Sequence, residues 1–214
     1  DVRANRPDPG LKAQHLAAVE VAAAVSDATV SGAELGSETV EFDPGDPTGG
    51  RYEADVGTAG SLTLLFDTLL PLATVLEDPL SLSATGGTDV KWSPPLSSYR
   101  HVKLPLLREH GLAATVEPER PGFYPAGGGR ATLHLWPSSV SPLALDGDGN
   151  RDEENGHGTD DEERDAVEAR VYSLAAESLA DADVADRQAD AAERLLSDLA
   201  VESVHRETTY AAAT

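Results

Sequence analysis

Two arginines open the chain on a stiffened loop. Arg3-Ala4-Asn5-Arg6 is followed by Pro7-Asp8-Pro9-Gly10, and a helical pattern then begins whose first turns present Gln14 and His15. Guanidinium forks grip phosphate oxygens in pairs, and a helix start adds free N–H groups and partial positive charge. In a chain with 38 acidic and 16 basic residues, two arginines this close point to anion binding rather than to a solvated surface loop. Three further stretches allow close backbone approach. Gly57-Thr58-Ala59-Gly60-Ser61 leads into an apolar helix. Thr85-Gly86-Gly87-Thr88-Asp89 runs on through Trp92-Ser93-Pro94-Pro95, and Gly122-Phe123-Tyr124-Pro125-Ala126-Gly127-Gly128-Gly129-Arg130 joins two strands. Taken singly, each is more often structural than functional.

The familiar fingerprints are missing. There is no phosphate-binding G-x-x-x-x-G-K-[ST], no G-x-G-x-x-G between a strand and a helix, and no G-x-S-x-G nucleophile turn. None of the six histidines pairs with another at i, i+4, which argues against a metal hydrolase. Cysteine is absent, so disulfides, zinc–thiolate sites and cysteine nucleophiles are excluded. Asp146-Gly-Asp148-Gly-Asn150 resembles part of a calcium loop but lacks the glutamate position and the flanking helices. Methionine is absent too, and a chain that opens at Asp1 without one is expected to be a piece of something longer.

The elements that must position these residues sit in 214 residues, of which 40% are hydrophobic. That length supports one or two domains with a real core. No apolar run reaches the ~18 residues of a membrane span, and no secretory leader pattern is present, so a cytoplasmic protein is expected. The net charge of −22, with arginine strongly preferred to lysine, suits molar salt. There the Debye length falls to ~3 Å and self-repulsion is screened, so the acidity reads as halophilic rather than as a search for a basic partner.

Residues 1–145 carry 18 acids and 10 bases, and residues 166–214 carry 10 and 4. Between them, residues 146–165 hold 10 acids and 2 bases without one apolar side chain, which predicts a mobile acidic loop. Before this loop, periodicity predicts a helix over Leu11–Val25 with Leu11, Ala18, Ala22 and Val25 on one stripe. Strands follow near Val40–Phe42 and over Tyr52–Val56, then a helix carrying Leu62, Leu65, Phe66, Leu69 and Leu72, and a strand over Leu80–Ala84. A third helix is expected to start from a Ser93 cap and Pro94-Pro95, carrying Tyr99, Val102, Leu106 and Leu107. Strands at Ala113–Glu117 and Ala131–Trp136 close the unit. After the loop, strands at Val167–Leu174 and Val201–Thr209 flank a helix over Ala182–Leu199, with Val184, Ala191, Leu195 and Leu199 inward. The fold class is α+β: repeated units of two helices on a mixed four-stranded sheet, with the first repeat truncated, the second complete, and a smaller β-α-β domain begun at residue 166.

In this order and spacing, GAELGSETVEF, GTAGSLTLLFDTLLP, GGTDVKWSPP and GFYPAGGG after RANRPDPGLKAQH resemble the RNA 3′-terminal phosphate cyclase family, of extremely halophilic archaeal type. The resemblance covers residues 1–145 and, more loosely, 166–214, as the start of that family's inserted small domain. It implies ATP-dependent nucleotidyl transfer: a histidine takes AMP from ATP with a divalent metal (Mg²⁺ or Mn²⁺) assisting, AMP passes to an RNA 3′-phosphate, and the neighbouring 2′-OH displaces it to leave a 2′,3′-cyclic phosphate. Arg3, Arg6 and Gln14 match family positions important around the phosphates, and Pro94 one that packs near the adenine. At Asp67 the family commonly has glutamine contacting the nucleotide region, and aspartate there lacks the NH₂ donor and adds charge.

The family's nucleophilic histidine lies near the C-terminus, and none of His15, His101, His110, His134, His157 or His205 stands in the matching context. The chain as given is therefore expected to be unable to adenylylate itself. Partners implied are ATP and an RNA 3′-phosphate end, with no membrane, as monomer or homodimer. The competing readings are a relative that keeps the fold as an RNA-processing or ribosome-assembly binding protein without the chemistry, and the related enolpyruvyl-transferase architecture. Retention of Arg3, Arg6 and Gln14 favours the enzyme over the first, and GFYPAGGG with the arginine loop argues against the second.

Overall fold

A computed structural model describes residues 1–57, 59–142, 167–199 and 201–212. The acidic stretch 146–165 and Thr58 lie outside the described residues. The chain divides into two compact units, Asp1–Ser141 with Ala212–Thr214, and Pro142–Ala211.

In the first unit, helix α1 (Ala13–Val25) is followed by the short antiparallel pair β1 (Thr29–Ser31) and β2 (Glu41–Asp43), then β3 (Gly50–Asp55), α2 (Leu62–Leu69) and β4 (Leu80–Gly86). A helical run over residues 96–109 leads to the hairpin β5 (Ala114–Arg120) and β6 (Gly129–Leu135). The four longer strands form a mixed sheet in the order β3-β4-β6-β5, with β3 parallel to β4 and the other pairs antiparallel. The α+β architecture read from the sequence is what forms.

The core follows from alternation on β4 and helical spacing on α2. Leu80, Leu82 and Ala84 point to one face, where Leu62, Leu65, Phe66 and Leu69 meet them together with Val116, Leu133 and Leu135. Each such large side chain contributes roughly 1.5–3 kcal/mol on burial. The opposite face is polar and tied by cross-strand pairs, Ser81 Oγ to His134 Nδ1 at 2.9 Å and Ser83 Oγ to Thr132 Oγ1 at 2.8 Å.

In the first unit the structure departs from the periodic reading at three points. On α1 the buried stripe is Leu11, Ala17, Val21 and Val25, with Ala18 and Ala22 only partly covered. The third helix starts at Leu96, and Ser93 does not cap it: the Ser93 hydroxyl donates to Val90 O, and Pro95 occupies the cap position. Within that run, Tyr99–Lys103 is a π-helical turn. The extra residue per turn shifts the inward phase, so Leu96, Tyr99 and Leu104 are buried while Val102 and Leu106 are exposed. The widened turn ends two residues before Pro105, whose missing N–H and ring would disrupt a tight α turn. The strand β1, three residues long and largely exposed, left no periodic signal.

The second unit is a β-α-β element: β7 (Glu168–Ala176) runs parallel to β8 (Ser203–Ala211), with α5 (Val184–Leu196) crossing between them. The inward side chains of α5 are Ala185 and Ala189, not the expected stripe, and Leu195 and Leu199 are exposed. The reason lies on β8. Arg206 reaches Asp186 at 2.8 Å and Asp190 at 2.6 Å, and the Tyr210 hydroxyl accepts from Ala185 N and donates to Asp186. These ties roll the acidic edge of α5 onto β8 and bring alanines against the sheet.

Candidate functional site

The arginine loop rests on the turn formed by residues 34–38. Val2 N donates to Glu38 O, Leu11 N to Ser37 O, and Gly36 N to Leu11 O. Gly10 sits at φ 83°, and a Cβ there would lie 2.3 Å from Gly36 O, so only glycine permits this approach. Arg3 is turned inward on its own loop, its guanidinium donating to Asp8 O at 2.8 Å and Gly10 O at 3.2 Å. Arg6 is exposed, and its guanidinium has no hydrogen-bond or ion-pair partner among the described residues. The two matched arginines thus differ: one braces the loop, the other is open to a ligand.

Lys12 and His15 flank this loop at the start of α1. Lys12 pairs with Asp8, holding that carboxyl below its usual range. Lys12 N donates to His15 Nδ1 at 3.4 Å. Partial burial, with Arg3 and Lys12 nearby, lowers the His15 pKa, so the ring is neutral at pH 7. Because Nδ1 accepts that bond, Nε2 carries the proton. The sequence signal for Lys12 is its spacing from Asp8, four residues earlier.

Gln14 is not free. Its Nε2 donates to Ser61 O at 3.1 Å, and its Oε1 accepts from Ser61 N, so the side chain pairs like a strand with a backbone 47 residues away. Ser61 in turn caps α2, its Oγ accepting from Leu64 N, and contacts Thr63 Oγ1 at 3.0 Å. Thr63 Oγ1 donates to Pro94 O at 2.9 Å. Gln14, Ser61, Thr63 and Pro94 therefore form one connected chain, which brings two sequence-predicted residues together through two that the motifs did not single out for contact.

The three glycine-rich loops close on each other. Gly87 N donates to Gly60 O at 2.6 Å, and Leu62 N to Gly87 O. Thr88 N and Asp89 N both donate to Gly122 O, while Gly122 N donates to Thr88 Oγ1 at 2.8 Å. A Cβ on Gly122 would lie 2.2 Å from Gly129 N, and one on Gly86 would lie 2.6 Å from Gly60 O. The glycines thus serve mutual contact of loops, and the surfaces these loops present are the side chains at their tips. Asp89 is half-buried there; desolvation raises its pKa, and the Thr88 hydroxyl donating to it at 2.7 Å offsets part of that.

Asp67 lies on α2 and pairs with Lys103 at 2.6 Å. The Lys103 ammonium also lies 5.2 Å from the centre of the Tyr99 ring. Tyr99 is fully buried, its ring 6.3 Å from that of Phe66, and its hydroxyl meets no partner of hydrogen-bond geometry. Burial and the Asp67 carboxylate push the phenol far up, so it stays protonated. No bond links Asp67 to Gln14 or Pro94. The polar ladder Ser81–His134–Glu117 imitates a hydrolase triad, with the carboxylate 3.6 Å from His134 Nε2. The neighbouring rung Ser83–Thr132–Glu119 repeats the pattern without a base, which marks both as sheet-face pairing.

Among the described residues no group of three or more His, Asp or Glu side chains is placed to hold a metal ion, and no helix is long and apolar enough to cross a membrane. The family model for RNA 3′-terminal phosphate cyclase matches residues 1–207. A Halobacterium salinarum protein named RNA 3′-terminal phosphate cyclase is 48% identical over 202 residues, covering 89% of this chain and 55% of its own length. Proteins of the same name from Archaeoglobus fulgidus and Pyrococcus furiosus are 46% and 45% identical, covering 68% and 64% of the chain and 44% and 40% of themselves. The chain spans about half the length of the curated relatives it matches. By these matches it belongs to the RNA 3′-terminal phosphate cyclase family.

Proposed function

We propose that the protein to which this chain belongs converts an RNA 3′-terminal phosphate to a 2′,3′-cyclic phosphodiester at the expense of ATP. A histidine nitrogen attacks the α-phosphorus and pyrophosphate leaves. The AMP is passed to an oxygen of the RNA 3′-phosphate, and the vicinal 2′-OH then attacks that phosphorus and expels AMP. Adenylation supplies the leaving group that a bare 3′-phosphate lacks, and the hydroxyl beside it attacks at high effective molarity. Residues 1–145 serve as the cyclase repeat domain and 166–214 as the start of the inserted domain.

The observation that carries this reading is the bonded chain Gln14–Ser61–Thr63–Pro94 beside an arginine loop whose Arg6 is unpaired. In this assignment Arg6 grips a phosphate, Arg3 holds the loop that presents it, Gln14 positions the start of α2, and Pro94 packs on the adenine. Asp67 borders the nucleotide region from its pair with Lys103. A divalent cation, Mg²⁺ or Mn²⁺, would enter with the triphosphate as part of the substrate. His15 is unsuited as the nucleophile, because its Nδ1 lone pair already accepts from Lys12 N and its Nε2 carries the proton. The nucleophile is assigned to a histidine outside residues 1–214.

The test is incubation of the intact protein in molar KCl with α-labelled ATP, Mg²⁺ and an RNA bearing a 3′-phosphate. The expected results are an acid-labile protein label and RNA ends that become resistant to phosphatase. RNA that keeps a phosphatase-sensitive end would overturn the assignment. Residues 1–214 alone should take up no label.

A further inference from the structure

Trp92 stands out on the site's surface: 97% of it is exposed, and its backbone is held at φ 68°. A bulky side chain in the left-handed region costs conformational energy, and an exposed indole gains nothing from burial. Two costs at one residue, with no internal contact in return among the described residues, point outward to a ligand.

Its surroundings define the ligand's chemistry. Lys91 is one of only three lysines in the chain, and its ammonium lies 4.8 Å from the centre of the Tyr124 ring. Tyr124 is itself more than half exposed. The loops bearing Trp92 and Tyr124 are bonded together: Thr88 N and Asp89 N donate to Gly122 O, and Asp89 bridges to Phe123. The tip therefore presents two exposed aromatic faces and a cation on a surface otherwise dominated by carboxylates. Planar groups joined by negative charge are what such a tip recognises, since base–aromatic stacking is tolerant of sequence and the ammonium answers a phosphate. Pro94 lies two residues from Trp92 and belongs to the bonded chain that reaches Gln14.

We infer that Trp92, Tyr124 and Lys91 form the platform on which the last unpaired bases of a single-stranded RNA stack, leading its 3′ end towards Arg6 and Gln14. This assignment rests on the proposed function for the identity of the nucleic acid. It adds residues that read the strand rather than its terminal phosphate.

The test measures binding of a short fluorescein-labelled oligouridylate with a 3′-phosphate to the intact protein, alongside KM for RNA and for ATP. Trp92→Ala is expected to weaken RNA binding about 5- to 150-fold, with KM for ATP unchanged. Trp92→Phe should recover most of the loss. Lys91→Ala should reduce the slope of log affinity against log salt by about 0.7. Because the Trp92 side chain is almost wholly exposed, its removal leaves the fold intact, which a thermal melt checks. Unchanged RNA affinity in Trp92→Ala overturns the platform, as does a rise in KM for ATP matching that for RNA, which would place the indole on the adenine instead. Absence of RNA binding by the unaltered protein also overturns it. Binding that depends on Trp92 without any cyclisation upholds the platform while overturning the proposed reaction.

Discussion

Gln14 and Ser61 exchange two hydrogen bonds across 47 residues, so the first turn of α1 is locked to the cap of α2 by a side-chain amide acting as backbone. The residue matched to phosphate handling is thereby a positioning residue. Its amide is engaged by Ser61, which is 4% exposed.

Gln14→Ala should cost about 1–3 kcal/mol, because it strands a buried N–H. Chemical denaturation checks this. Gln14→Glu keeps the acceptor for Ser61 N but sets a carboxylate against Ser61 O, so its loss should exceed that of a surface substitution at Glu20. A stability change confined to surface values in both variants would contradict the geometry.

Asp89 carries a pH prediction. Its raised folded-state pKa means the native state binds this proton more tightly than the unfolded chain does. Its stabilising contribution is therefore complete below the ordinary value of 3.8 and is lost as pH rises through the folded pKa. Asp89→Asn, which still accepts from the Thr88 hydroxyl, should raise Tm at pH 7 by about 2–4 °C for each kcal/mol of burial relieved. That advantage should vanish below the ordinary aspartate range. Melts at several pH values decide it.

His15 moves the other way. Its lowered pKa should make it titrate below the ordinary histidine value of 6.5 in an NMR titration, and Arg3→Gln should raise it by removing a neighbouring charge. The depressed value makes its contribution to stability present above the ordinary 6.5 and lost as pH falls through the folded pKa. An unchanged titration in Arg3→Gln would place the guanidinium elsewhere.

The stacked loops make a steric prediction. Gly122→Ala must push a Cβ into Gly129 N and Gly86 O, and overpacking of this kind costs roughly 1–3 kcal/mol or more. Gly36→Ala meets nothing within 4 Å, and there only the left-handed backbone at φ 82° resists, so its cost should be smaller. Paired denaturation curves give the ranking.

What could be read in advance was whatever a regular period announces. Alternation at Leu80–Ala84 and the α2 stripe place the core, and the order of the glycine motifs places the loops. The π turn at Tyr99–Lys103 was hidden, because a single extra residue per turn alters phase without altering composition, and Val102 and Leu106 changed sides with it. The roll of α5 was hidden because it depends on Arg206 and Tyr210 of a strand further on. At the site, residue types announced Arg6 and Gln14 alike. Only the distances separate an open guanidinium from an amide already bonded to Ser61.

All three lysines of the chain, Lys12, Lys91 and Lys103, stand at the loops and helix faces of the first unit, against Asp8, the Tyr124 ring, and Asp67 with Tyr99. That scarcity of lysine turns amine acylation into a footprinting reagent for this region. Mass spectrometry of three peptides would report, lysine by lysine, which of these contacts a bound nucleotide or strand protects.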